Sequence, residues 1–329
     1  MRFLANKTTI DFVGRRRAAY LLSSLMILAT FGSLLWQGIN FGIDFAGGTL
    51  VQVRFPAPVP PADVRAAMGV LGLGDVVIQE FGAPEEVLIR VEKSPEGAAQ
   101  QELARTVVEA LKPLAGDGGS VELRRVEFVG PQVGEELTEQ GVLAMLYAMM
   151  AILAYISWRF ELRFAVGAVV ALVHDVIITI GFFSFTQKEF TLVVVAALLT
   201  VIGYSLNDTI VVFDRIREDM RRLKSLVLGD VINEAVNQTL SRTINTSLTV
   251  ILVLVALLLF GGEVIADFAW ALFVGVVVGT YSSIFVASPM VLALEGRSLG
   301  GLRRLTPKAP GTGDTPASRE RSDSREVVP

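Results

Sequence analysis

Apolar residues run almost unbroken through six stretches: Ala18–Gln37, Gly141–Trp158, Phe164–Thr186, Leu192–Phe213, Ile244–Phe260 and Phe268–Leu294. Each holds between 17 and 27 residues, and about twenty helical residues cross the roughly 30 Å hydrocarbon core of a bilayer. The pattern predicts six membrane-spanning helices. A short basic segment, residues 1–17, precedes the first and ends in Arg15-Arg16-Arg17. A cleaved leader would have a shorter apolar core and a small-residue cleavage site. No convincing A-x-A pattern follows Ala18–Gln37, so this stretch reads as an uncleaved span.

Residues 38–140 change character. Thr49–Phe55 alternates Val51, Val53 and Phe55 against Gln52 and Arg54, the period of a half-buried strand. Pro60-Pro61-Ala62-Asp63 opens a helical pattern through about Leu71. Val76–Phe81 and Val87–Glu92 read as strands joined through a Gly82–Glu86 turn. Ala98–Leu111 reads as a helix, with Ser94 a candidate cap before Pro95. Val121–Val129 is a last strand after a turn at Gly116–Gly119. The order β-α-β-β-α-β predicts a ferredoxin-like α+β domain, one four-stranded antiparallel sheet with two helices on one face. It shows no nucleophile, metal cluster or phosphate loop, and reads as a contact module. Phe41–Gly48 (FGIDFAGG) leads into the first strand. Gly42, Gly47 and Gly48 permit backbone angles that other residues avoid, and Asp44 can bond nearby amides. Asp44, Gly47 and Gly48 are therefore expected to form a structural turn out of the membrane.

Composition agrees with a polytopic α-helical membrane protein. The 329 residues are 52% hydrophobic, with a mean hydropathy of +0.55. There is no cysteine and one histidine, which excludes disulfides, thiol chemistry and a multi-histidine metal centre. The net charge of −4 matters less than its distribution. Arg159 and Arg163, then Arg215, Arg217, Arg221, Arg222 and Lys224, then Arg297, Arg303 and Arg304 fall on one side of the six spans. The other side has only Lys188 with Glu189, and Glu263 with Asp267. By the positive-inside rule both termini, the 214–243 connection and the 295–329 tail are cytoplasmic. The 38–140 domain, with sixteen acidic and eight basic side chains, is then periplasmic. Topology thus explains the basic residues without nucleic acid. Residues 306–329 are rich in Pro, Ser and charge and are predicted to be disordered.

Polar residues inside the spans are the candidate chemistry. Asn207 and Asp208 interrupt the fourth span, and Asp208 lies roughly 9 Å inward of Asp214 at 1.5 Å per residue. An ionisable group at that depth is costly and marks a functional site by default; the plainer reading is a side chain satisfied by a neighbouring helix or facing a wet crevice. His174 and Asp175 sit near the middle of the third span. A neutral imidazole bonded to a neighbour and a proton relay are both open for His174, while Asp175 must be neutral, paired or hydrated. A helical pattern from Val231 runs to Arg242 at the edge of the fifth span, followed by Asn245, Thr246, Ser247 and Thr249. Arg242 can snorkel to headgroups, yet its depth matches that of Asp208 and a charge pair between them is available. Gly275-x-x-x-Gly279 in the sixth span reads as close helix packing, and Pro289 as a kink near its end.

FGIDFAGG, the external domain, HDV, GYSLNDTIVVFDRIRE and SRTINTSLT in this order resemble the SecF family of bacterial Sec protein-export subunits, within the resistance-nodulation-division (RND) superfamily. The likeness spans nearly all of residues 1–295. It implies an RND-type half of six transmembrane helices in the inner membrane that pairs with SecD. It further implies association with the SecYEG channel and YajC, and assistance to a translocating preprotein driven by the proton motive force. It carries the family's span-four carboxylate onto Asp208, its span-five arginine onto Arg242, and its turn motif onto Asp44, Gly47 and Gly48. Protons are then the coupling ion, membrane lipid the surroundings, and no cofactor or enzymatic step is expected. Half of a proton-driven RND small-molecule exporter is the alternative. Such exporters usually carry the span set twice, and no internal duplication is visible here.

Overall fold

The computed structural model describes residues 8–74, 76–91, 99–116, 119–223 and 225–295. Ser94, Pro95, Lys224 and the tail with Arg297, Arg303 and Arg304 lie outside them. The six apolar stretches are six helices long and apolar enough to span a membrane. They are α1 (Arg16–Trp36), α5 (Pro131–Arg159), α6 (Leu162–Thr186), α7 (Leu192–Arg222), α8 (Leu228–Phe260) and α9 (Glu263–Ser282). The last continues through a π-helical turn, Ser283–Ala287, to Glu295. A π turn shifts the hydrogen-bond ladder by one residue. Here Ser288 Oγ bonds back to the Ser283 carbonyl at 2.8 Å, just ahead of Pro289, which has no N–H to give.

Between α1 and α5 stands the sheet domain. Its elements are α2 (Ile43–Ala46), β1 (Gly48–Arg54), α3 (Pro61–Gly69), β2 (Val76–Phe81), β3 (Ala83–Val91), α4 (Ala99–Leu111) and β4 (Glu122–Val129). The strand order is β2-β3-β1-β4 with every pair antiparallel, the ferredoxin-like arrangement. Period-two alternation does the sorting. Val51, Val53, Val87, Ile89 and Val91 point to one face and are fully buried against Val64 and Met68 of α3 and Val107 and Leu111 of α4. Each such side chain contributes about 1.5–3 kcal/mol on burial. The opposite face carries Leu50 and Leu88, which pack on Ile43 of α2. The expected Gly82–Glu86 turn is tighter than its sequence implies. Gly82 adopts φ 72°, and Ala83 already pairs with Phe81.

In the bundle, α6, α7 and α9 form the interior and α1, α5 and α8 flank it. The flanking helices keep large apolar side chains outward, such as Leu25 and Leu28, Leu146 and Met150, and Leu252 and Leu259. Within 214–243, residues 214–222 and 228–243 are helical. Helix α7 runs on through Asp214 to Arg222, and α8 begins at Leu228, with Asp230 in its first turn and Val227 at the cap position.

Two joints hold bundle and sheet domain together. Asn40 and Gly42 exchange backbone hydrogen bonds with Phe190 in the α6–α7 turn, at 2.8 and 2.9 Å. Asp44 Oδ2 accepts the Leu192 N–H at 2.9 Å, at the N-terminus of α7. Asp44 is thus a helix cap for a distant span. Gly47 adopts φ 70° and lies where a Cβ would stand 3.2 Å from Pro131 Cα, so only glycine lets the turn meet the start of α5.

Candidate functional site

The interior helices bring together the polar residues of the third, fourth and sixth spans. Ser205 and Asp208 are three residues apart on α7 and so share a face. Both are buried. Asp175 of α6, fully buried, accepts hydrogen bonds at Oδ2 from Ser205 Oγ (2.6 Å) and from Ser282 Oγ of α9 (2.8 Å). Gly279 makes the room: a Cβ there would lie 2.9 Å from Ser205 Oγ. This glycine, expected to serve packing, also shapes a polar site.

His174, buried beside Asp175, turns back toward it, and Nδ1 lies 3.0 Å from Asp175 Oδ1. The other ring nitrogen, Nε2, lies 3.1 Å from Ser23 Oγ of α1. Ser23 Oγ is in turn 3.1 Å from Tyr281 Oη of α9, which donates to the Ala19 carbonyl at 2.8 Å. A carboxylate at the bundle centre is thereby connected to its rim by side chains from three helices.

Asp208 is less well served. Ser247 Oγ of α8 reaches its Oδ2 at 3.4 Å, and Thr280 Oγ1 of α9 donates to Ser247 at 2.7 Å. The next residue along α7, Thr209, shares a hydrogen bond with Ser283 at 3.1 Å. Arg242 is exposed and makes no ion pair among the described residues, although it stands close enough to Asp208 to act on it electrostatically. It lines a cleft of about 460 Å³ between α7 and α8, with Asp214, Arg215 and Glu218 on the opposite wall. The expected pair is therefore a near approach, with Ser247 in contact instead.

Asn207 does not join the group. It is exposed, because consecutive helical residues point about 100° apart and the interior already takes Asp208. Sequence reading missed Ser205, Ser282, Ser23, Tyr281 and Thr280, and named Ser247 without giving it a partner. Among the described residues no cluster of three or more His, Asp or Glu side chains suits a metal ion. The arrangement can hold, exchange and pass protons.

Comparison with known proteins places the chain. The family model described as protein export membrane protein SecD/SecF, C-terminal, matches residues 105–297. The SecD/SecF GG motif matches residues 32–59, the segment that holds Asp44, Gly47 and Gly48. A protein translocase subunit SecF from Magnetococcus marinus is 65% identical over 296 residues, covering 90% of this chain and 95% of that protein. The SecF of Vibrio alginolyticus is 48% identical over 89% of this chain and 92% of its own. Among solved structures, SecDF of Thermus thermophilus, described as a translocon-associated membrane protein, superposes with a TM-score of 0.79 at 37% identity. That match covers 90% of this chain and 40% of the SecDF chain. SecDF in its super-membrane-facing form matches with a TM-score of 0.66. The chain belongs to the SecF family of protein translocase subunits.

Proposed function

We propose that this chain is the SecF half of a proton-driven export device in the bacterial inner membrane. Its termini are cytoplasmic and its sheet domain periplasmic. The chain spans 40% of the SecDF chain it resembles, and in this reading it works with a SecD-like half. The assembled pair acts beside the SecYEG channel, with YajC, on a preprotein in transit.

The observation that carries this reading is Asp208, a carboxyl group 3% exposed inside an apolar helix. Its hydrogen bond with Ser247 is long at 3.4 Å, Thr246 lies beside it, and the Arg242 guanidinium lines the adjoining cleft without an ion pair among the described residues. A carboxylate in such surroundings is stable when a cation or water faces it and takes up a proton when neither does. Movement of Arg242 toward Asp208 releases the proton; withdrawal invites the next. Each proton crossing the membrane is worth about 2.3 kcal/mol per 100 mV, enough to bias a two-state helix arrangement more than tenfold. Asp175 and His174 form the second protonatable group of the same interior. Asn207 is left without a role.

Helix α7 carries the signal outward. From Asp208 to Leu192 is roughly 24 Å of continuous helix, and Leu192 is the residue that Asp44 caps.

The test is Asp208→Asn at unchanged membrane level. Proton-gradient-dependent stimulation of export is expected to be lost, and retained stimulation would remove Asp208 from the mechanism. Arg242→Ala is expected to behave alike. Co-isolation with a SecD-like subunit and channel components separates export from drug-dependent proton flux by an isolated exporter.

A further inference from the structure

We propose that the Asp175–His174 pair holds one exchangeable proton, and that Ser23 and Tyr281 convert its presence into a latch between α1 and α9. The proposal rests on the reading of this interior as proton-coupled and adds Ser23 and Tyr281, which that reading does not use.

Hydrogen counting leads to it. The Ala19 carbonyl can only accept, so the single hydroxyl hydrogen of Tyr281 is committed to it at 2.8 Å. At the 3.1 Å contact between Ser23 Oγ and Tyr281 Oη, Ser23 must therefore be the donor. Ser23 has no second hydrogen for His174, so at the 3.1 Å contact with Nε2 the imidazole must donate. With Nε2–H fixed, the 3.0 Å contact between Nδ1 and Asp175 Oδ1 needs a hydrogen of its own. Either Nδ1 carries it, as imidazolium facing carboxylate, or Oδ1 carries it, as carboxylic acid facing imidazole. In both cases the pair holds two protons and is neutral overall.

Remove one of the two. The carboxylate now requires Nδ1–H, Nε2 becomes an acceptor, and Ser23 turns its hydrogen inward to meet it. Ser23 and Tyr281 then face each other with lone pairs, unless Tyr281 gives up Ala19. Either way one bond between α9 and α1 is lost. The tautomer of the imidazole is set by what its other nitrogen bonds, and here that choice is felt two helices away.

The surroundings leave this proton to the pair. Helix α1 contributes Tyr20 and Ser23, α7 contributes Ser205, and α9 contributes Tyr281 and Ser282. Asp208, one turn further along α7, bonds to Ser247 of α8. No Lys or Arg side chain is bonded to Asp175 or His174 among the described residues. A groove of about 440 Å³ lined by Tyr20, Ser23, His174 and Met290 opens at the imidazole edge, where exchange can begin.

The chain has one histidine, so ¹⁵N-histidine labelling of the full chain in lipid bilayers gives a single-site reporter. In the unmodified chain the spectrum is expected to change with pH, from an Nε2-protonated ring at low pH to an Nδ1–H ring at high pH. Asp175→Asn should hold the ring as Nε2–H at every pH, because the amide NH2 donates to Nδ1 as the carboxylic acid would. Tyr281→Phe removes the acceptor for Ser23, and the Nε2-protonated population within the transition should fall several-fold, up to about tenfold for one hydrogen bond. Ser23→Ala should do the same without touching the aromatic packing. An Nδ1–H ring at all pH values in the unmodified chain, or one in Asp175→Asn, overturns the proposal. So does a Tyr281→Phe or Ser23→Ala spectrum indistinguishable from the parent. Its failure is separable from failure of the export reading. A silent histidine with export still lost in Asp208→Asn removes only the latch, whereas the expected spectra with export intact in Asp208→Asn keep the latch and remove the export role of Asp208.

Discussion

Buried charge at single residues is tolerated here only with specific partners, and Glu189 shows the rule outside the membrane. It sits half-buried in the α6–α7 turn, where burial pushes its carboxyl above the ordinary 4.5 and the nearby Arg90 guanidinium pulls the other way. Arg90 is itself buried, and its guanidinium donates to the Phe41 carbonyl. A carboxyl whose folded pKa is raised binds protons more tightly folded than unfolded, so its ionisation costs stability as pH rises through that value. Glu189→Gln should therefore raise the unfolding temperature at pH 7–8 and leave it unchanged below about pH 4.5, measured by thermal melts in mild detergent. The charged members of the membrane site were legible in the sequence for the same reason. Asp208, Asp175 and Arg242 stand out because charge in an apolar run demands an explanation. Their hydroxyl partners were not. A Ser or Thr in a helix ordinarily bonds to its own i−4 carbonyl, as Thr179, Thr200 and Thr246 do at 2.8 to 3.1 Å. Nothing in the sequence separates those from Ser205 or Ser282, which bond across helices. Asn207 was credited by adjacency to Asp208, and helix geometry turns it away.

Between elements, the first described residues do more than lead into α1. Phe12 and Val13 are buried in the bundle core, and the backbone around them is clamped to α8 by two asparagines one turn apart. Asn237 accepts the Ile10 N–H at 2.9 Å and donates to the Ile10 carbonyl at 2.8 Å. Asn233 accepts the Val13 N–H at 2.9 Å and donates to Asp11 at 2.8 Å. This strap fixes the part of α8 that leads to Arg242. Asn237→Ala leaves two backbone groups without protein partners. At about 1 kcal/mol per hydrogen bond, amide exchange at Ile10 and Val13 should speed up about tenfold or more, read by hydrogen exchange. Asp11 is held below its ordinary 3.8 first by the Gly14 N–H and then by Asn233. Its contribution is therefore present above that value and lost as the pH falls through its folded pKa. The sequence indicated the basic charge of this segment but not its docking, because side-chain to backbone bonds across more than two hundred residues leave no periodic trace. The 214–243 connection was obscured similarly. The charged continuations of α7 and α8 carry helical patterns, but hydropathy marks where lipid ends, and a helix stops only where its backbone bonding stops. The sheet domain was easier. Its alternation gave the element order and fold class, while the start of β3 was misplaced and the short helix Ile43–Ala46 was read as a turn.

Across the whole molecule, the proposed mechanism requires motion at Asp208 to reach the sheet domain, and Asp44 offers a hydrogen-bonded route. Helix α7 is a 31-residue element with Asp208 in its interior and Leu192 at its first position. Leu192 donates to Asp44, which lies four residues before β1 begins at Gly48. The Phe190 pairing with Asn40 and Gly42 ties the same turn a second time, so the α7 N-terminus is joined to the root of the sheet at two points. Removing the cap with Asp44→Ala costs about 1 kcal/mol of local stability, too little to unfold a six-helix bundle and enough to let α7 move without its load. The expected outcome is a split: insertion, protein level and the His174 spectrum stay as in the parent, while proton-dependent export stimulation falls several-fold. Asp44→Asn keeps an acceptor oxygen for the Leu192 N–H and should retain most of the stimulation, which separates a cap from a charge requirement. Gly134→Ala provides an independent check on the same joint, since its Cβ would stand 2.9 Å from the Phe45 carbonyl and must displace the turn from α5. Full export stimulation in both Asp44→Ala and Gly134→Ala would mean that force leaves the bundle by another route, with the packing of α5 beneath the sheet as the next element to test.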